Sequence, residues 1–360
     1  MPSPVSLDIP AAMQAAVYRG EGRLCLEEVE VPQIESGEIL VRVAACGVCP
    51  TDIKKIHYNT VAPPRIFGHE TSGTIVQVGA LVRGFEVGDR VGLHHHVPCM
   101  DCHFCKHHAF AQCATYRRTG ITAGFEPSGG GFAEFVRVMP FCLPGVVRIP
   151  RKNSFLEGAL LEPVNTVLKG IRQLGLLPGD TVLVCGQGPI GLLFTRILSI
   201  HGMRVIATDL LPNRLVLAKQ WGAWQSIEAN EHQVAESVGR WTEGRGADAA
   251  VVAVPNDGAV WQAQSAIRGG GRVLLFAHTV RDRQTSIDLA KICVDEKALV
   301  GSYSSDFTLQ KAVARLVFSR QLDVRPLITH TFHLAQTSEA VGLAAKPTAE
   351  TLKIVVTPGV

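Results

Sequence analysis

The tightest constraint on this chain lies between residues 181 and 209. Thr181–Cys185 is a short apolar run, and Gly186-Gln187-Gly188-Pro189-Ile190-Gly191 follows it directly. Ile190–His201 then reads as a helix, and Arg204–Thr208 as a second strand closed by Asp209. In a Gly-x-Gly-x-x-Gly turn of this kind, the first glycine permits the tight bend and the second lets backbone approach a pyrophosphate. The third lets the helix pack close to the strand, and the helix N-terminus favours negative charge. A plain turn would explain the glycines alone. It would not explain a carboxylate 18 residues beyond Gly191, where it can accept hydrogen bonds from ribose hydroxyls. That carboxylate would repel a 2′-phosphate, so the dinucleotide expected is NAD rather than NADP. Arg214 is near enough in sequence to join the cofactor residues, although five residues into the next segment it reads as a helix-face residue.

The alternation continues with a helix at Asn213–Trp221 and strands at Ala249–Ala253 and Arg272–Phe276, which predicts a doubly wound parallel sheet. Thr181–Ile200 is apolar enough to resemble a membrane span, but Gly186, Gly188, Pro189, Gly191 and Arg196 suit a strand, turn and helix better. No membrane partner is expected. Upstream, from Met13 to about Pro150, the pattern is short strands and glycine turns, which suits a partly open β-barrel. Ile39–Val43 and Gly73–Val78 read as strands, and Phe85–Val91 as a turn entering another. Leu156–Leu174 reads as largely helical, interrupted or restarted at Pro163. After Gly301, a helix near Leu309–Ser319 and a last strand at Lys353–Val356 could extend the parallel sheet or return to the first domain.

At 360 residues the chain exceeds one ordinary domain, and 46% apolar against 19% charged residues argues against disorder. A net charge of +3 with scattered basic residues gives no nucleic-acid face. Met1–Met13 lacks the basic start and apolar centre of a secretory signal. Six of the ten cysteines fall in metal-type spacings rather than a disulfide framework, so a cytoplasmic location is expected.

Those six form two groups. Cys99-x2-Cys102-x2-Cys105-x7-Cys113 supplies four sulfurs, enough to close a tetrahedral zinc shell with no place for substrate, so this zinc would be structural. An iron–sulfur cluster also takes four cysteines, but the spacing differs from the common ferredoxin patterns. His103, His107 and His108 are surplus to that shell and read as solvated. The other group runs from Cys46-Gly47-Val48-Cys49-Pro50-Thr51-Asp52 to Phe67-Gly68-His69-Glu70. It gathers thiol, imidazole and carboxylate, a mixed set that zinc accepts while keeping one position open for chemistry. A lone Cys-x2-Cys would suit two buried thiols equally well. Beside a second metal-type group and a nucleotide turn, the metal reading prevails.

In this order the motifs, with Leu161-Glu162-Pro163, resemble the zinc-dependent medium-chain dehydrogenase/reductases of the alcohol dehydrogenase superfamily, near the polyol and threonine dehydrogenase branches. The resemblance covers almost the whole chain. It implies a GroES-like partly open β-barrel catalytic domain, residues 1–163 and 301–360, split around a Rossmann NAD-binding domain, residues 164–300. It also implies two zinc ions per chain and a homodimer or homotetramer. Position by position, it makes Cys49 and His69 catalytic-zinc ligands and places Glu162 where branches carry Cys, Asp or Glu. Glu70 becomes a carboxylate that binds the metal in some states, Asp52 the group orienting His69, and Cys46 a packed thiol.

The implied reaction passes hydride from a secondary alcohol, polyol or hydroxylated metabolite to NAD, with Thr51 handing the alcohol proton outward toward Lys54 or solvent. Two departures from the family stand out. Met100 and His108 occupy lobe positions that are often glycine. Lys54 stands where many relatives carry a relay histidine, and an ordinary lysine is already protonated at neutral pH. Lys54 therefore has a depressed pKa or acts only as a cation; His57 is either its substitute or a surface histidine. His95, in the run His94-His95-His96, falls at a substrate-wall position, unless the run merely exposes imidazoles on a turn. Two rival readings are a zinc-free quinone reductase, which would lack Cys49, His69 and Glu162, and a non-catalytic zinc module, which would leave the glycine turn unexplained.

Overall fold

One strand, Ile39–Gly47, anchors the β-rich part of the chain. Its β-branched, apolar run suits a pleated interior, and it pairs antiparallel with Glu70–Val78, Phe135–Val138 and the last strand, Lys353–Thr357. The computed structural model describes residues 9–358 apart from 96, 116–122, 125–128, 230–233 and 278–283. The sheet order is Ile328–His333, Lys353–Thr357, Ile39–Gly47, Glu70–Val78, Arg90–Gly92, Val147–Arg148. A second sheet joins Leu24–Glu30, Ala12–Tyr18, Arg65–Phe67 and Ala123–Gly124. Both contribute to one core, with Tyr18 edge-on to Phe67 at 5.4 Å and Ile39, Ile75 and Phe132 fully enclosed. This is the partly open barrel expected from the many short strands.

Chain contacts divide the molecule into two units, Met1–Pro163 with Asp306–Val360, and Val164–Ser305. Among the described residues, the second unit holds six parallel strands in the order Gln225–Glu228, Arg204–Asp209, Thr181–Cys185, Ala247–Val252, Ile267–Leu275, Ala298–Gly301. Numbered from Thr181, that order is 3-2-1-4-5-6, the doubly wound arrangement whose strand order reverses beside its first strand. Thr181–Cys185 and Ala247–Val252 are buried along their whole length, as parallel strands covered on both faces must be. The apolar window at 181–200 is a strand and a helix, Pro189–Ile200. Among the described residues, no helix is long and apolar enough to cross a membrane.

The expected helix at 156–174 is two helices, Phe155–Ala159 and Leu161–Leu174. The break falls at Leu160 and not at Pro163. Pro163 lies in the first turn of the second helix, where backbone N–H groups have no intrahelical acceptor and a missing one costs little. Ser154 starts the first helix through a reciprocal cap with Glu157, at 3.2 and 2.7 Å.

Candidate active site

Cys49 occupies the N-cap of helix Pro50–His57, where Sγ accepts from the Thr51 N–H at 3.5 Å. Asp52, three residues on, closes the cap by accepting from the Cys49 N–H at 3.3 Å. Its other oxygen stands 3.2 Å from His69 Nδ1. Asp52 is fully buried and His69 3% exposed. The carboxylate therefore fixes the imidazole and leaves Nε2 as its available donor. Burial opposes a charge on His69, but Asp52 and Cys49 outweigh it and lift its pKa well above the ordinary value.

Glu70 opens strand Glu70–Val78 directly across from Gly47. A Cβ on residue 47 would overlap Glu70 Oε2, so only glycine leaves the carboxylate its place. Ligand atoms of Cys49, His69 and Glu70 lie within 4.8 Å of one another. Lys353 Nζ donates to Glu70 Oε1 at 2.6 Å and stands 2.5 Å from Oε2, yet Oε2 accepts no aligned hydrogen bond among the described residues. Buried carboxylates, a thiol and an imidazole crowded this closely fit a divalent cation.

Glu162, in the first turn of helix Leu161–Leu174, lies outside that three-residue group. It is 5% exposed, with Oε1 3.7 Å from His95 Nδ1. Burial pushes its pKa up to about 7, with His69 pulling down and Glu70 pushing up. His95 stacks on His94 at 5.0 Å and meets His69 edge-on at 5.7 Å. Both His94 and His95 are 1% exposed, so this pair does not decorate an open turn; His96 lies outside the described residues. Cys46 is fully buried, its thiol beside Thr71 Oγ1 at 3.5 Å and pushed up to about 12 by burial. Thr51 and Lys54 are three residues apart on one helix face and half-buried, and burial lowers the Lys54 pKa. His57 is exposed. The motifs gave no sign of Lys353; the only local hint was a lysine opening an otherwise apolar strand.

In the lobe, Cys102–Cys105, Cys99–Cys113 and Cys99–Cys105 sulfurs are 3.5, 3.6 and 3.9 Å apart. Corners of a tetrahedron about 2.3 Å from a central zinc would stand about 3.8 Å apart, so the four sulfurs fit a closed shell. Met100 (φ 66°) and His108 (φ 56°) adopt the left-handed conformation that glycine favours, so the loop keeps its path despite both side chains. His103, His107 and His108 are exposed.

In the parallel unit, Gly186 has φ 90° and ends strand Thr181–Cys185, as a left-handed turn requires. A Cβ on Gly191 would overlap the Gly186 carbonyl, whereas one on Gly188 would meet nothing within 4 Å among the described residues. Packing explains the former; open space at the N-terminus of helix Pro189–Ile200, which Pro189 and Ile190 begin, fits an approaching phosphate. Asp209 accepts from the Gln187 N–H at 2.6 Å and the Leu211 N–H at 2.9 Å, tying the glycine turn to the end of the next strand. Arg214 is 5% exposed on helix Pro212–Gln220, its pKa lowered by burial against the pull of Asp209.

A mixed-donor group and a four-sulfur group that could each hold a metal ion, together with a dinucleotide-type sheet, are the features of a metal-dependent oxidoreductase. Residues 35–150 match the alcohol dehydrogenase GroES-like domain, and residues 189–319 the zinc-binding dehydrogenase family. The chain is 30% identical to sorbitol dehydrogenase of Bacillus subtilis (strain 168) over 359 residues, covering 97% of this chain and 98% of that one. It is 31% identical to sorbitol dehydrogenase of Ovis aries, covering 94% and 95%. The NADP-bound crystal structure of a Sinorhizobium meliloti 1021 protein assigned as a zinc-binding dehydrogenase matches with a TM-score of 0.88 at 26% identity, covering 97% and 100%. The chain belongs to the zinc-dependent medium-chain alcohol and polyol dehydrogenases.

Proposed function

We propose that this protein oxidises a secondary alcohol or polyol to a carbonyl compound with NAD, using one zinc at Cys49, His69 and a carboxylate, and a second in the four-cysteine lobe. The observation that carries the reading is the convergence of Cys49, His69 and Glu70 with Asp52 behind the imidazole. When bound, the zinc would favour loss of the substrate hydroxyl proton and NAD would accept the hydride. Asp52 keeps His69 in one tautomer. Thr51 offers a hydroxyl to the substrate oxygen, and Lys54 follows on the same helix face, where burial lowers its pKa and so favours the neutral amine that can take up the outgoing proton. Glu162 and His95 give the site a polar wall suited to a hydroxylated substrate, in keeping with the sorbitol dehydrogenase relatives. The reading extends to a homodimer or homotetramer in the cytoplasm.

Asp209 supports NAD over NADP. Its carboxylate is held by two backbone N–H groups, and a 2′-phosphate brought to it would meet like charge. The NADP in the Sinorhizobium structure makes this the part to test first. Reduction of NAD and NADP should be followed with a panel of secondary alcohols, sorbitol, xylitol and threonine, alongside zinc analysis. The expected result is two zinc ions per chain and at least about tenfold preference for NAD, lost in Asp209→Ala. Because Asp209 also braces Gln187, Asp209→Asn serves as the control that keeps an oxygen acceptor there. One zinc per chain, or no turnover of any hydroxyl donor, sinks the function; an unchanged cofactor ratio in Asp209→Ala sinks the role of Asp209.

A further inference from the structure

The ammonium of Lys353 is built into the mixed-donor site from the far end of the chain. Its side chain leaves the first residue of strand Lys353–Thr357 and the residue is 5% exposed. Besides both oxygens of Glu70, Nζ reaches the Val48 carbonyl at 2.9 Å. Val48 immediately precedes Cys49. One buried cation thus grips a candidate metal ligand and the backbone next to another. A carboxylate held this way gives less of its charge to a metal than a free one would.

We propose that Lys353 is a positioning residue that competes with the catalytic metal for Glu70, restraining this carboxylate so that a coordination position stays available to substrate. The inference rests on the metal-site reading of Cys49, His69 and Glu70. Its consequence is reciprocal: removing the lysine strengthens metal binding by the factor by which the metal weakens the hold of the lysine on Glu70. A lysine that merely ties the last strand to the sheet predicts the opposite, because its loss would loosen the site and let metal escape sooner.

The test uses the full-length, zinc-loaded enzyme as wild type, Lys353→Met, Lys353→Arg, Glu70→Gln and the Glu70→Gln/Lys353→Met double variant. Zinc content, zinc release to excess chelator, the visible spectrum after cobalt replaces the mixed-donor zinc, kcat and KM are measured. Lys353→Met should release that zinc roughly tenfold more slowly, shift the cobalt bands and lower kcat more than it alters KM; Lys353→Arg should behave as wild type. In the Glu70→Gln background, where no carboxylate is contested, Lys353→Met should change zinc release by less than about twofold. This pair carries the test even if Lys353→Met alone fails to fold around an unpaired Glu70. Zinc release as fast as or faster than wild type in Lys353→Met, or a clear Lys353 effect without Glu70, overturns the competition. A wild-type enzyme holding zinc only in its lobe overturns the underlying metal-site reading instead.

Discussion

Cys49 and Cys102 both cap short helices, and there the likeness between the two clusters stops. The lobe draws four like donors from one stretch, Cys99 to Cys113, and Cys99 is exposed. The mixed-donor site draws unlike donors from a helix cap, a strand start and, for its counter-charge, a strand near the other end of the chain, nearly all of them buried. A short loop can close a shell by itself. A shell that must stay open needs long-range packing to hold each donor, keep them from collapsing together and balance their charges. The lobe is therefore a matter of local chain geometry, and the catalytic candidate a product of the whole barrel.

Replacing one cysteine in each cluster should separate these roles most sharply. Cys49→Ser should lower kcat/KM by roughly 10³-fold, because the metal's contribution to the barrier is several kcal/mol, while the lobe zinc and cooperative unfolding persist. Zinc analysis with steady-state assays checks this; substantial retained turnover would show that Cys49 is not a ligand. Cys102→Ser should act chiefly on stability, costing several kcal/mol with a smaller kinetic loss. In urea unfolding, a chelator should then destabilise wild type by several kcal/mol more than the variant, which has only the mixed-donor zinc to lose. If the variant responds to chelator as wild type does, the lobe is not a zinc shell.

The smallest effect lies in the wall of the buried site. Burial holds the His94 pKa down to about 4 from its ordinary 6.5, against a Gln310 hydrogen bond and the Asp306 charge, both of which raise it. The unfolded chain binds that proton first as pH falls. The contribution of His94 is thus intact above pH 6.5 and lost by about pH 4, a loss of about 3 kcal/mol. In His94→Gln the slope of stability across that interval should be shallower by this amount. Denaturant titrations at several pH values decide it, and parallel slopes in the two proteins would show that His94 already titrates normally.

Much of this molecule can be read from residue order because its chemistry is set in short, spaced units. The glycine turn and Asp209 announce the parallel sheet, and four cysteines within fifteen residues announce the lobe. Cys49, Asp52, His69 and Glu70 are legible because a helix cap and a strand start place them at fixed offsets. Lys353 is not, since the register that sets Val355 against Gly47 belongs to the sheet and leaves no mark on nearby sequence. Glu162 and His95 are each visible alone, but their 3.7 Å approach is not. At Met100 and His108, side-chain identity points away from a left-handed turn that the surrounding loop nevertheless imposes. Residue order points to Pro163 as the break, yet the chain breaks before Leu161, because the first turn of a helix tolerates proline.

Gly47 has no atom that could bind, donate or accept through a side chain, and a search by chemical type would pass over it. Yet the volume its missing Cβ would fill is occupied by a Glu70 oxygen. Any larger residue there would make that carboxylate shift, and with it the ammonium that faces it. A mutational library aimed at new substrates should therefore leave position 47 alone, because a side chain there displaces a candidate metal ligand. A position can thus constrain this centre through what its side chain leaves out.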